Sequence, residues 1–166
     1  LHPDGHPPYK ICELILNPNS KNNLKSPSIY PSLDFQERIQ TALSLRIAPD
    51  SNGNEILWIL DYGYMGLGTP KIIGIDLNTD KEVHHYEFSK DIAPYLSMLN
   101  DFQIDSQKQI MYIADAGILN KQGAIVVYDI VNKQARRLLA GHPSVTAKNF
   151  KTVVNSTDFT REMVLL

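Results

Sequence analysis

Side chains able to do chemistry are sparse in this sequence, and the two most unusual are adjacent. Asn100 and Asp101 stand near the head of the apolar run Leu99-Asn100-Asp101-Phe102-Gln103-Ile104. A buried amide or carboxylate needs partners to offset its lost hydration, so a ligand, an ion or a turn must supply them. An Asn carbonyl beside carboxylates suits calcium or magnesium. For Asn100, contact with a metal or ligand and a structural tie to the preceding loop both stand open. For Asp101 the position favours hydrogen bonding at the strand end. Tyr62 and Tyr64 lie in the Gly- and Tyr-rich stretch 61–70. Their rings can hold an amine by cation–π attraction or pack the loop against itself.

Other candidates carry less. His2 and His6 are four apart, but Pro3 and Pro7 oppose the helix that would bring them together. His84 and His85 are neighbours on a strand and therefore face opposite ways. His142 precedes Pro143 and reads as a turn residue. The single cysteine, Cys12, forms no intrachain disulfide, and no Cys/His cluster suggests structural zinc. No Ser-His-Asp set, phosphate loop or carboxylate pair at hydrolase spacing can be assigned, which leaves catalytic residues unknown.

The elements that must position these residues form a repeat. Ile56-Leu57-Trp58-Ile59-Leu60-Asp61-Tyr62-Gly63 parallels Ile110-Met111-Tyr112-Ile113-Ala114-Asp115-Ala116-Gly117 at an offset of 54. Lys71 to Leu77 parallels Ala124 to Ile130 at an offset of 53. Each unit reads as strand, polar turn, strand ending in Asp-x-Gly, loop, strand ending in Asp, turn, strand. Four strands per unit in tandem is the pattern of an all-β fold, a β-propeller. Residues 42–88 and 89–140 are the two complete blades. Residues 1–41 read as an N-terminal arm with one strand, Tyr9 to Leu16, and a short helical or looped approach from Phe35 to Thr41. Residues 141–166 read as a tail or the start of a further blade, with one apolar run from Phe150 to Val154.

Three packing expectations follow from this pattern. Alternation of Leu43, Leu45 and Ile47 should bury one face of the first strand. Trp58 and Tyr112, at equivalent positions, should be core. Asp61 and Asp115 should form turns by accepting backbone amides. In a propeller the start of a first strand, the loop between second and third strands and the preceding inter-blade loop share one face. Asn100-Asp101 and the loops 61–70, 89–98 and 115–123 should thus converge on one mouth, away from the plain hairpins at 50–55, 78–81 and 105–109.

Composition narrows the partners. A formal charge of −2 gives no broad basic field, which disfavours nucleic acid. No apolar run approaches the roughly 20 residues that cross a bilayer, so no membrane partner is expected. The opening Leu1-His2-Pro3-Asp4 is not a secretory leader. Its start without Met leads us to expect that the true N-terminus is missing, which leaves a removed leader open.

Several ordered motifs resemble a known family. Leu57-Trp58-Ile59-Leu60-Asp61-x-Gly63, Pro70-Lys71-Ile72, Asp76-Leu77-Asn78-Thr79, Leu99-Asn100-Asp101, Tyr112-Ile113-Ala114-Asp115-x-Gly117 and Ile125-Val126-Val127-Tyr128-Asp129 are similar to the Yellow and major royal jelly protein family. Gly141-His142-Pro143-Ser144-Val145 resembles its bacterial branch. The resemblance implies a six-bladed propeller, usually secreted and so extracellular or periplasmic, of which this chain carries the first half. Family members include proteins resembling dopachrome-converting enzymes, binders of biogenic amines, and nutritive or assembly proteins. More distantly, Asn100-Asp101 resembles the Asn-Asp of gluconolactonase and senescence-marker propellers, where an asparagine helps to hold a divalent cation. That likeness implies a calcium-type cation at Asn100, with Glu13 as the acidic ligand expected near the N-terminus.

Two functions are therefore expected. In one, the protein binds a small aromatic or amine ligand at the channel mouth through Tyr62, Tyr64, Asn100 and Asp101. The alternative is a divalent-metal-dependent hydrolase or isomerase of gluconolactonase type, in which a cation held partly by Asn100 polarises a carbonyl or activates water. A fold does not license a reaction, so binding is preferred. Blade faces and strand edges left open in a partial propeller predict self-association.

Overall fold

A computed structural model describes residues 9–14, 27–117, 121–146, 152–154 and 157–159. The chain enters through an arm in which β1 (Cys12–Glu13) pairs antiparallel with β2 (Ser28–Ile29) and leads to α1 (Leu33–Arg38). The arm strand is shorter than the run Tyr9 to Leu16, whose last two residues lie outside the described residues. Ser32 caps α1 by accepting from the Phe35 N–H at 3.3 Å, and Asp34 and Arg38 complement the helix dipole at its two ends. Gln36, buried on this short helix, accepts from Lys10 N and Ile11 N and donates to Ile11 O and Tyr30 O. One amide thus joins helix and arm.

The first sheet follows in the order β3 (Ala42–Pro49), β4 (Glu55–Asp61), β5 (Lys71–Asp76), β6 (Lys81–Glu87). A single helical turn, α2 (Gly63–Gly66), lies between β4 and β5. The second sheet repeats the order with β7 (Leu99–Asp105), β8 (Ile110–Asp115), β9 (Ala124–Asp129) and β10 (Gln134–Leu138). A 3-10 turn at Pro143–Val145 comes next, and β11 (Thr152–Val154) pairs antiparallel with β12 (Thr157–Phe159). The rest of the run from Phe150, like His2 and His6, lies outside the described residues.

Hairpin chemistry repeats with the strands. Asp76, Asp105 and Asp129 each accept an N–H two or three residues on, and Asp80, Gln109 and Lys133, four residues later, each take a positive φ. A short side chain that mimics the backbone acceptor closes each turn without glycine. These hairpins, and the one after Asp50, lie at the sheet ends opposite the loop 62–70 and the described loop residues 116–117 and 121–123, the segregation expected from the sequence.

The main core lies between the sheets. Ile56, Trp58, Leu60 and Ile72 of the first sheet meet Phe102, Met111, Ile113, Val126 and Tyr128 of the second. The opposite face of the first sheet is covered over Ile59, Ile73 and Ile75 by Ile11 of the arm and by Phe35 and Ile39. On β3 that cover reaches only Ala42. Leu43, Leu45 and Ile47 are 39%, 43% and 62% exposed, against the expectation of a buried face, while Ser44 is buried on the side facing the second sheet. Tyr112 corrects a second expectation. It is 44% exposed where its equivalent Trp58 is 1% exposed, because Trp58 faces the second sheet whereas no described residues cover the corresponding face of that sheet.

Candidate functional site

Two buried carboxylates organise the loop end of the sheets. Asp61 accepts from Gln40 N at 2.7 Å, Thr41 N at 2.9 Å and Gly63 N at 2.9 Å, and lies 3.3 Å from Lys71 Nζ. Asp115 accepts from Ser97 Oγ, from Met98 N at 2.8 Å and from Gly117 N at 3.0 Å, and lies 2.7 Å from Arg137 Nη1. Each therefore forms the turn expected of Asp-x-Gly and also fastens the segment ahead of its own sheet. The cations come from different strands, the head of β5 and the end of β10, so the repeat in sequence does not reveal them. Glycines seal the same loops. A Cβ on Gly66, at φ +74, would fall 2.8 Å from Ser97 N of the next inter-sheet segment.

Asn100 and Asp101 stand where β7 leaves the ladder and rejoins it. Leu99 pairs with Asp115 and Asp101 with Ala114, so Asn100 is the extra residue of a β-bulge. Leu43 holds the same place in β3, between Ala42 and Ser44. A bulge re-aims its side chain and is common beside binding sites. Asn100 is half-buried, and its amide makes no hydrogen bond to the described residues.

Asp101 joins the two sheets. Its Oδ1 accepts from Ser44 Oγ, from Phe102 N at 2.8 Å and from Arg46 Nη2 at 2.9 Å, and its Oδ2 accepts from Arg46 Nη2 at 2.9 Å. Partial burial pushes the carboxyl up, but the bonds from Ser44 and Phe102 N and the Arg46 charge outweigh it and hold Asp101 below the usual carboxylate range. The Arg46 guanidinium also lies 5.8 Å from the Phe102 ring centre and donates to its own neighbour, Leu45 O. Ser44 and Arg46 were not singled out by the sequence. Their offset of 57 and 55 residues from Asp101 has meaning only once β3 and β7 lie side by side.

The tyrosines separate. Tyr62 is 4% exposed and belongs to the core between the sheets, the packing alternative for this loop. Tyr64 is 58% exposed on α2, at φ 50. Both belong to the same sheet end as Asn100, by strand register. His84 is buried and its Nε2 lies 2.7 Å from Tyr128 Oη, whereas His85 faces outward beside Glu82. His142 caps the 3-10 turn by accepting from Ser144 N, as a turn residue should. Among the described residues no group of three or more His, Cys, Asp and Glu is placed to hold a metal ion. Glu13 is exposed in the arm strand, which belongs to the cover of the first sheet's opposite face. Arg46 beside Asp101 opposes a cation there, so the described residues offer a poor fit to calcium at Asn100.

With two tandem antiparallel sheets and this repeated carboxylate tie in place, comparison with known families is decisive. The family described as Major royal jelly protein matches residues 44–165. The chain belongs to the major royal jelly protein family. Comparison with curated proteins finds no match. The family is a propeller, so the two sheets are blades, and β3 and β7, which touch each other, are their inner, channel-side strands. In this family member, Asn100, Asp101, Ser44 and Arg46 therefore gather on the inner strands where two blades meet, and Tyr64 stands on the loop at the same end.

Proposed function

We propose that this protein is a binding module that takes a small aromatic ligand, amines among the candidates, at the channel mouth. The observation that carries the reading is Asn100, displaced from the β7 ladder by a bulge, with an amide that bonds to none of the described residues. Asp101 and Arg46 beside it, and the exposed ring of Tyr64, add charged and aromatic contacts suited to a small polar aromatic molecule. Export from the cytosol belongs to the same reading, on the likeness to secreted family members.

Calorimetric titration of the full-length protein with phenol-bearing amines and acids tests it. Binding weakened at least fivefold by Asn100→Ala and by Tyr64→Ala is the expected result. Affinity unchanged by both substitutions, or no binding, would overturn it. A parallel titration with calcium addresses the metal-dependent alternative: calcium binding abolished by Asn100→Ala, with metal-dependent lactone hydrolysis, would replace the binding module with the enzyme.

A further inference from the structure

Arg46 decides what kind of ligand this mouth can prefer. It donates from Nη1 to Leu45 O and from Nη2 to both oxygens of Asp101, a shared contact that leaves several of the five N–H donors of the guanidinium uncommitted. The other donors meet no acceptor among the described residues, and the side chain is 35% exposed. The Phe102 ring beneath and the Asp101 carboxylate alongside fix its plane. Asp101 is in the opposite position. Three donors converge on its Oδ1, and a fixed cation already neutralises it.

These two facts set the sign of selectivity. An ammonium group approaching Asp101 meets the like charge of Arg46 and must displace it. A carboxylate or phenolate oxygen approaching Arg46 finds free donors already oriented, and Asn100, the bulge residue next to Asp101 in β7, offers a further uncommitted amide near the head of that strand. We infer that Arg46 is the specificity-determining residue of the mouth and that the ligand is a small aromatic carrying a carboxylate, held by Arg46 and Asn100. This rests on the binding-module reading and narrows it.

The test compares two probes of nearly equal shape and opposite charge, 4-hydroxyphenylacetate and tyramine, by calorimetry on the full-length protein. The acid is expected to bind at least tenfold more tightly than the amine. Arg46→Gln should remove that preference by weakening the acid at least tenfold while leaving tyramine unchanged or improved, since Asp101 is then released. Arg46→Lys, which keeps the charge but not the fork, should retain part of the preference and serves if the Gln variant does not fold. Tyramine binding as tightly as the acid, or an equal loss for both probes in Arg46→Gln, overturns the inference while leaving the binding module standing. Binding of neither probe overturns both.

Discussion

Asp115 and Arg137 form an ion pair of 2.7 Å between side chains that are 0% and 9% exposed, and this pair fixes the segment that enters the second blade. Ser97, Met98 and Gly117 supply the carboxylate's remaining donors, so its charge is fully compensated. Removing one partner of such a pair leaves the other buried and uncompensated, at a cost of about 3–5 kcal/mol. Asp115→Asn should therefore lower the urea midpoint strongly. Asp61→Asn, which leaves Lys71 in the same position, should do likewise. A change below about 1 kcal/mol in both would show that the ties are dispensable.

Gly66 and Gly53 separate backbone strain from collision. Both have positive φ, +74 and +84, but a Cβ on Gly53 meets nothing within 4 Å whereas one on Gly66 runs into Ser97. Gly53→Ala should cost about 1 kcal/mol, the left-handed penalty alone. Gly66→Ala should cost clearly more, because the contact is backbone of another loop and cannot move aside. Equal shifts in melting temperature would contradict this.

His84 gives the stability a pH dependence of known sign. Burial, with Lys133 and His85 adding to it, pushes the ring down from its ordinary 6.5 to about 4. Between those values the unfolded chain binds a proton that the folded chain refuses. Stability is therefore present above pH 6.5 and is lost as the pH falls towards 4, by up to about 3 kcal/mol. Denaturant midpoints across that range should fall less steeply in His84→Gln than in the wild type. Parallel slopes would reject His84 as the source.

The open faces predict association of the 166-residue chain with a second copy of itself. Leu45 and Ile47 occupy the places that Phe102 and Ile104 hold in the second blade, and Tyr112 occupies that of Trp58. The two open faces thus repeat the two that pack together inside the chain, which favours a head-to-tail contact. Sedimentation velocity over a concentration series should show growth in mass, suppressed by Ile47→Lys with Tyr112→Lys. A monomer throughout would refute it.

Much of the fold was legible because repetition is a strong signal. Strand, hairpin and Asp-x-Gly recur at fixed offsets, and both sheets follow that order. What packing adds was not legible. Period-two alternation in Leu43, Leu45 and Ile47 says which residues share a face, but the cover on that face comes from elsewhere in the chain. The same holds for Tyr112. At the mouth, the unusual Asn100-Asp101 pair was visible in the sequence. Ser44 and Arg46 were not, because a serine and an arginine on an alternating strand read as ordinary solvent-facing residues until the neighbouring strand is placed. Tyr62 and Tyr64 could not be separated by composition, since a single helical turn that starts after Tyr62 and carries Tyr64 decides which ring faces inward.

The sequence contains one tryptophan, Trp58, and the ring of His84 meets its edge at a centroid distance of 5.1 Å in the seam between the blades. The indole is thus a built-in optical probe of that seam. Its emission responds to water entering between the blades and to the charge on the neighbouring imidazole. Separation of the blades can therefore be followed in real time without an attached label.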